Sequence, residues 1–217
     1  MFPCFHLPRR LVRGWLPIAC SALWLGATAG GMAVLWKYEN VPGLTLPVPA
    51  AWPAASRIPR EPGIATLVMF AHPRCPCTQA GVGELAKVMA QCQGRVRASV
   101  LFYKPRGTSD EWAHTDLWSA AAAIPGVKVQ CDEDGAEAAR FGATTSGFIL
   151  VYDGLGKLDY NGGITAERGH AGDNDGEKAI VAILKGERPA IGFMPVLGCS
   201  IYDPQSKCVE IGVRRGK

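Results

Sequence analysis

"IATLVMFAHPRCPCTQAGVGELAKVMAQC", residues 64–92, changes its physical character at its centre. The opening "IATLVMFA" is a short, nearly unbroken apolar run, the mark of a strand buried on both faces. From Thr78 to Cys92 the apolar residues Val82, Leu85, Val88 and Met89 recur at helical spacing. Between the two lie Cys75 and Cys77, one proline apart. Pro76 suits the first helical position, which makes Cys75 the N-cap and puts Cys77 in the first turn. Proline also steers the residue before it away from helical angles, in keeping with that boundary. Orphan N–H groups and the helix dipole favour a thiolate there, and Arg74 adds a positive charge. An accessible thiol of low pKa with a second thiol beside it is what disulfide exchange requires.

Strands and helices alternate outward from this junction. "VRASVLFY" (96–103) reads as a second strand, and Asp110 can cap a helix carrying Trp112, Leu117 and Trp118 that stops at Pro125-Gly126. "VKVQC" is a third strand, and residues 134–141 form a short helix. "FILVYD" and "KLDYN" flank Gly154 and Gly156 as a hairpin, and a last helix runs from Lys178 to Lys185. The order βαβ, α, β, α, β, β, α indicates an α/β fold, a mixed sheet whose last strands turn antiparallel.

The N-terminus has a different chemistry. Residues 14–36, "GWLPIACSALWLGATAGGMAVLW", carry no charged side chain. At helical rise this stretch reaches roughly 34 Å, enough to cross a hydrocarbon core. It is longer than the apolar part of a cleavable signal peptide, so a single transmembrane anchor is expected. Arg9, Arg10 and Arg13 precede it and only Lys37 follows closely, which leaves residues 1–13 in the cytoplasm and sends the rest outside. Residues 37–63 hold six prolines and read as a semi-rigid linker. The expected folded domain covers 64–186, with an extension over 187–217. Of the 217 residues 48% are hydrophobic and 19% charged, ample for a core, and much of the net charge of +4 sits at the two ends. No basic stripe interleaved with aromatics is present, so nucleic acid is not an expected partner.

At the strand–Cys-Pro-Cys–helix junction the chain resembles the thioredoxin superfamily, which carries Cys-x-x-Cys at the same place. "VQCDEDGAEAARFGATTSGFILVYDGLGKLDYNGGI" (129–164) is similar to the later part of that fold. "TDLWSAAAAIPG", "GGIT", "RGHAGDNDG" and the late "GCS" resemble bacterial membrane-anchored thioredoxin-like proteins labelled RedB. In this resemblance Arg74 stands at the usual first-cysteine position, with Cys75 one place later, and Cys77 matches the second. Pro73 replaces the usual aromatic residue, and Gly147 in "TTSG" replaces the cis-proline opposite the motif. It also implies that Cys131, at the end of the third strand, lies near the motif, as a resolving thiol or a buried core cysteine.

These readings combine into an expected thiol–disulfide exchange protein of the bacterial inner membrane with a periplasmic domain. Its lipid contact is through residues 14–36. Its partners are protein thiols or disulfides and a membrane-embedded or periplasmic reductant, and no cofactor is expected. Cys75 is the expected nucleophile and Cys77 its partner, with His72, Arg74, Pro76, Cys131, Gly147 and His170 as candidate supporting residues. Two alternatives stay open. His72, Cys75 and Cys77 form H-x-x-C-x-C, and with His170 they offer soft and borderline ligands for copper or zinc binding and delivery; His72 otherwise tunes or packs beside the thiols. A non-catalytic assembly factor on the same fold is the other. In the tail, Cys199 either closes a small loop with Cys208 or folds back on the motif cysteines. Arg168, His170 and Asp173, in the polar loop after the last strand, are placed at the mouth of the site, while Asp173 and Asn174 can equally cap the final helix.

Overall fold

The structure is a computed structural model that describes residues 9–44 and 46–202; of residues 9–14 only the backbone is described. The chain divides into two units, Met1–Val41 and Pro42–Lys217. In the first, α1 (Arg9–Asn40) is one long helix, and Trp15–Asn40 is apolar and long enough to cross a membrane. The side chains of Trp15–Asn40 are exposed, as expected of a helix with apolar residues on every face.

The second unit is built on a six-stranded sheet in the order β3-β2-β1-β4-β5-β6. β1 (Ala65–Ala71) is central, parallel to β2 (Val96–Lys104) and antiparallel to β4 (Phe148–Tyr152). β2 pairs in parallel with β3 (Val127–Glu133), and β4 pairs antiparallel with β5 (Leu158–Gly162) through the Gly154–Gly156 hairpin. A short strand β6 (Phe193–Met194) closes the far edge. The unbroken apolarity of β1 follows from its place, since alternate residues face two cores. Leu67 and Met69 pack under α2 (Pro76–Gln91), α3 (Asp116–Ala122) and α5 (Asp175–Lys185), with Leu85, Val88, Leu117, Ile180 and Leu184. Val68 and Phe70 face the opposite layer, where Leu101, Phe141, Phe148, Leu150 and Tyr152 meet beside α4 (Ala136–Arg140).

Three segments differ from the sequence reading. The helix expected from Asp110 is divided: a 3-10 turn covers Asp110–Trp112, and α3 starts only at Asp116. The break lies at Thr115, whose backbone is extended and whose hydroxyl donates to Pro73 O at 3.0 Å. That bond ties the start of α3 to the cysteine loop. The final helix begins a turn earlier than its apolar pattern, because Asn174 Oδ1 accepts the Glu177 N–H at 2.7 Å. Residues 46–63, part of the stretch 37–63 expected as a semi-rigid spacer ahead of the folded domain, pack along that domain. Leu158 N–H donates to Ala50 O, Trp52 N–H to Gly156 O and the Tyr152 hydroxyl to Pro49 O, while Trp52 meets Phe141 and Tyr152 edge-on. Proline content predicts an extended backbone, and an extended backbone can also bond along a folded surface.

Candidate functional site

β1 ends at Ala71, and α2 begins at Pro76. The four residues between them turn the chain, with the Cys75 N–H donating to His72 O at 3.1 Å. Cys75 is the N-cap of α2 in extended geometry, and Pro76 opens the first turn. Cys77 follows in that turn. The third sulfur comes from far away in sequence: the Sγ atoms of Cys75, Cys77 and Cys199 lie within 4.8 Å of one another. All three are free thiols.

Cys199 is brought there by backbone pairing. The segment 144–146, just before β4, offers its edge to the tail: Ser146 N–H donates to Cys199 O at 2.8 Å, and Ile201 N–H donates to Thr144 O at 2.9 Å. Thr145 and Ser200 form the antiparallel bridge between them. Gly198 has to be glycine at this approach, because a Cβ there would sit 2.0 Å from Ser146 O. Val196 and Ile201 are buried on either side of the cysteine, and Arg168 Nη1 donates to Gly198 O at 2.6 Å.

The electrostatics divide the three thiols. Burial by itself would raise the Cys75 pKa. Hydrogen bonds from the Thr78 hydroxyl and from the Cys199 backbone and thiol outweigh it, and Cys75 lies below the ordinary thiol value. Burial, then the hydrogen bond and negative charge of Cys75, push Cys199 up to about 12. Cys77 is also raised, by burial and the Cys75 charge, with Arg168 acting against them. Of the three thiols, Cys75 is therefore the one that loses its proton first.

A chain of hydroxyls supports it. Ser146 Oγ accepts the His72 N–H at 2.7 Å and lies 2.6 Å from Thr78 Oγ1. Taking Thr78 as the donor that lowers the Cys75 pKa, the Ser146 proton points at Thr78, and hydrogen bonds connect the His72 amide to the sulfur. Both hydroxyl residues are buried. Neither was singled out in the sequence. Their signal was faint: Thr78 stands three residues after the N-cap, and Ser146 is a polar residue just ahead of an apolar strand.

Cys75 is 3% exposed, more enclosed than the accessible thiol expected from the sequence. It nevertheless borders a groove of about 320 Å³ between the cysteine loop and α3, lined by Pro73, Arg74, Pro76, Thr115 and Leu117 among others. Arg74 turns its guanidinium over the Trp112 ring at 4.8 Å. His72 is stacked on Tyr103 and edge-on to Trp112, and its Nδ1 accepts the Arg74 N–H at 3.2 Å. His170 is an exposed residue of the loop after β5; among the described residues the sulfur cluster takes in neither histidine. Cys131 sits on β3, two strands from β1, and Cys92 is buried at the opposite end of α2. Gly147 follows the tail-bonded edge with φ +92°, its N–H on Phe70 O and open space where a side chain would be. Cys4 and Cys208 lie outside the described residues.

A central parallel β1-β2 pair, an antiparallel β4-β5 hairpin and a thiol pair between β1 and the next helix define the architecture. The fold is thioredoxin-like. No protein-family model matches the sequence, and no curated protein matches it. Solved structures of similar fold include an uncharacterized conserved protein from Geobacillus kaustophilus (19% identity, TM-score 0.54, covering 78% of this chain and 96% of the other). A hypothetical protein from Sinorhizobium meliloti is similar at 20% identity and TM-score 0.53, over 76% of this chain and 98% of its own. A secreted Mycobacterium tuberculosis disulfide oxidoreductase matches at 19% identity and TM-score 0.41, over 56% of this chain and 83% of its own. At these identities the likeness concerns the thioredoxin-like fold alone.

Proposed function

We propose that this protein is a membrane-anchored thiol–disulfide exchange protein with its thioredoxin-like domain on the extracytoplasmic face of the bacterial inner membrane. It would be of the kind labelled RedB. The observation that carries the reading is the placement of Cys75 as N-cap of α2 at the end of β1, within 4.8 Å of a second and a third sulfur. The apolar length of Trp15–Asn40 and the arginines ahead of it support the anchor and its orientation.

In the exchange, the Cys75 thiolate attacks one sulfur of a substrate disulfide, forming a mixed disulfide and expelling the other substrate sulfur as a thiolate, which takes up a proton. Cys77 loses its proton and attacks Cys75 Sγ, and the second substrate thiolate leaves. Two electrons pass from the protein dithiol to the substrate, and a second dithiol must restore the protein. A thiolate stabilised by hydrogen bonds is a good leaving group, so the same arrangement serves the reverse direction. Cys75→Ser and Cys77→Ser in the full-length protein in detergent should each abolish reduction of insulin or of a small disulfide. Undiminished activity in both variants would refute the proposal.

Soft-metal binding is a second reading, supported by the same three sulfurs. Three thiolates this close suit Cu(I) or Zn(II). It predicts stoichiometric retention of Cu(I) by the reduced protein, lost in Cys199→Ser and kept in His72→Ala and His170→Ala. Equal retention by the Cys199→Ser variant would remove it.

A further inference from the structure

Resting on that reading of Cys75 as the nucleophile, we infer that Cys199, in place of Cys77, resolves the mixed disulfide at Cys75, and that the oxidised resting form is the Cys75–Cys199 disulfide. Four observations lead there. The tail is bonded as a strand to the edge 144–146, so Cys199 is held by the sheet rather than brushing past it. Gly198 permits an approach that any side chain would block, and Arg168 holds the same residue by its carbonyl. The flanking residues Val196 and Ile201 are buried, which fixes the tail on both sides of the thiol. Finally, Cys75 lines the groove beside α3, whereas Cys199, its sulfur within 4.8 Å of that of Cys75, does not line it.

This arrangement suits consecutive steps. A substrate disulfide entering by the groove meets the Cys75 thiolate and becomes a mixed disulfide, releasing one substrate thiolate. Burial still favours the proton on Cys199, but Cys75 is then neutral, so the hydrogen bond to its thiolate and the repulsion from its charge, which add to burial, are removed together. Cys199 gives up its proton and attacks Cys75 Sγ from the tail side. The Cys75–Cys199 bond forms, the mixed disulfide breaks, and the second substrate sulfur departs as a thiolate. The protein loses two electrons and the Cys199 proton; the two substrate sulfurs receive the electrons, and one takes that proton while the other takes one from solvent. Cys77 keeps its thiol and is free to attack the new disulfide later, while an incoming reductant dithiol attacks the Cys75–Cys199 bond itself.

The test uses reduced full-length protein in detergent, exposed to oxidised glutathione, quenched with acid and mapped by peptide mass spectrometry. The expected product links Cys75 to Cys199 with two glutathiones released, and Cys77 remains open to alkylation. In Cys199→Ser and Cys199→Ala, the Cys75–glutathione adduct should persist about tenfold longer or more, because the positioned nucleophile is gone. A Cys75–Cys77 link with Cys199 still alkylatable overturns this inference and leaves thiol exchange intact. So does an adduct that resolves at the wild-type rate in both variants. No reaction at Cys75 in any form of the protein overturns the inference together with the reading beneath it. The wild-type map needs no substitution, so a variant that folds poorly does not blunt the test.

Discussion

Replacing Thr78 by valine isolates the hydroxyl that keeps Cys75 charged. The two side chains have nearly the same shape, so packing beneath α2 is conserved and the hydrogen bond is what changes. A hydrogen bond to a charged group contributes about 1.5–3 kcal/mol. That energy favours the thiolate, so losing the Thr78 donor should raise the Cys75 pKa correspondingly. The Cys199 amide and thiol remain, so the shift stops short of what burial alone would impose. The assay is the rate of Cys75 alkylation by iodoacetamide as a function of pH, read from the Cys75 peptide; the reagent is small enough for the groove that Cys75 borders. Wild type should show a midpoint below that of a free thiol, and Thr78→Val a higher midpoint, with slower alkylation at neutral pH. The stability of the reduced protein carries the same sign. A depressed folded pKa stabilises the fold above the unfolded thiol pKa, and that contribution fades as pH falls through the folded value. The gap between wild type and variant should therefore be wider at alkaline than at mildly acidic pH. A constant part of the gap, about 1–3 kcal/mol, comes from the Ser146 hydroxyl left without its buried partner. An unshifted alkylation midpoint in Thr78→Val would refute the hydroxyl path.

Three further outcomes follow from other parts of the molecule. Asp132 accepts the Glu137 and Ala138 N–H groups at the start of α4, yet burial raises its carboxyl to about 6. Its folded state prefers the proton, so its stabilising contribution is complete below the unfolded carboxyl pKa and is lost as pH rises through about 6. Urea unfolding should show a loss approaching roughly 3 kcal/mol across that window, flattened in Asp132→Asn. Asn174→Ala removes the side-chain cap of α5 and should cost about 1 kcal/mol in the same experiment. Gly198→Ala should push the tail off the 144–146 edge, speed alkylation of Cys199 severalfold, and leave the α2 core intact; an unchanged Cys199 rate would show that the tail is held by other means.

Much of the sheet could be read in advance because its signals are local. β1 declares itself by apolarity on both faces, β4 and β5 by the glycines between them, and α2 by its 3.6-residue period and its proline. The start of α3 could not be placed, because the bond from the Thr115 hydroxyl to Pro73 O joins two elements and leaves no mark on either. The packing of residues 46–63 along the domain was hidden for a related reason: proline fixes the local backbone but says nothing about what lies alongside it. Cys75 and Cys77 were legible as a pair, since spacing and helix onset are both sequence properties. The position of Cys199 depends on β6 and the tail, which carry neither periodicity nor turn signature, and on an edge supplied some fifty residues earlier. His170 and Cys131 show the converse. Each is a plausible ligand or resolving thiol by residue type, and the topology sets one on an exposed loop and the other two strands away.

Ser146 joins the separate parts of the site. Its side chain accepts the His72 N–H and leads through Thr78 to the Cys75 sulfur, while its backbone N–H holds the carbonyl of Cys199. One residue thus connects the loop after β1, the first turn of α2 and the tail. The backbone bond persists whatever side chain stands there, whereas the electrostatic path requires the hydroxyl. Positioning of the third sulfur and charging of the first are therefore separable at a single residue, and the chain can alter one without surrendering the other. The Ser146 hydroxyl is satisfied on both sides, so burial carries no penalty of an unmade bond, and the proton order it imposes reaches the sulfur two bonds away.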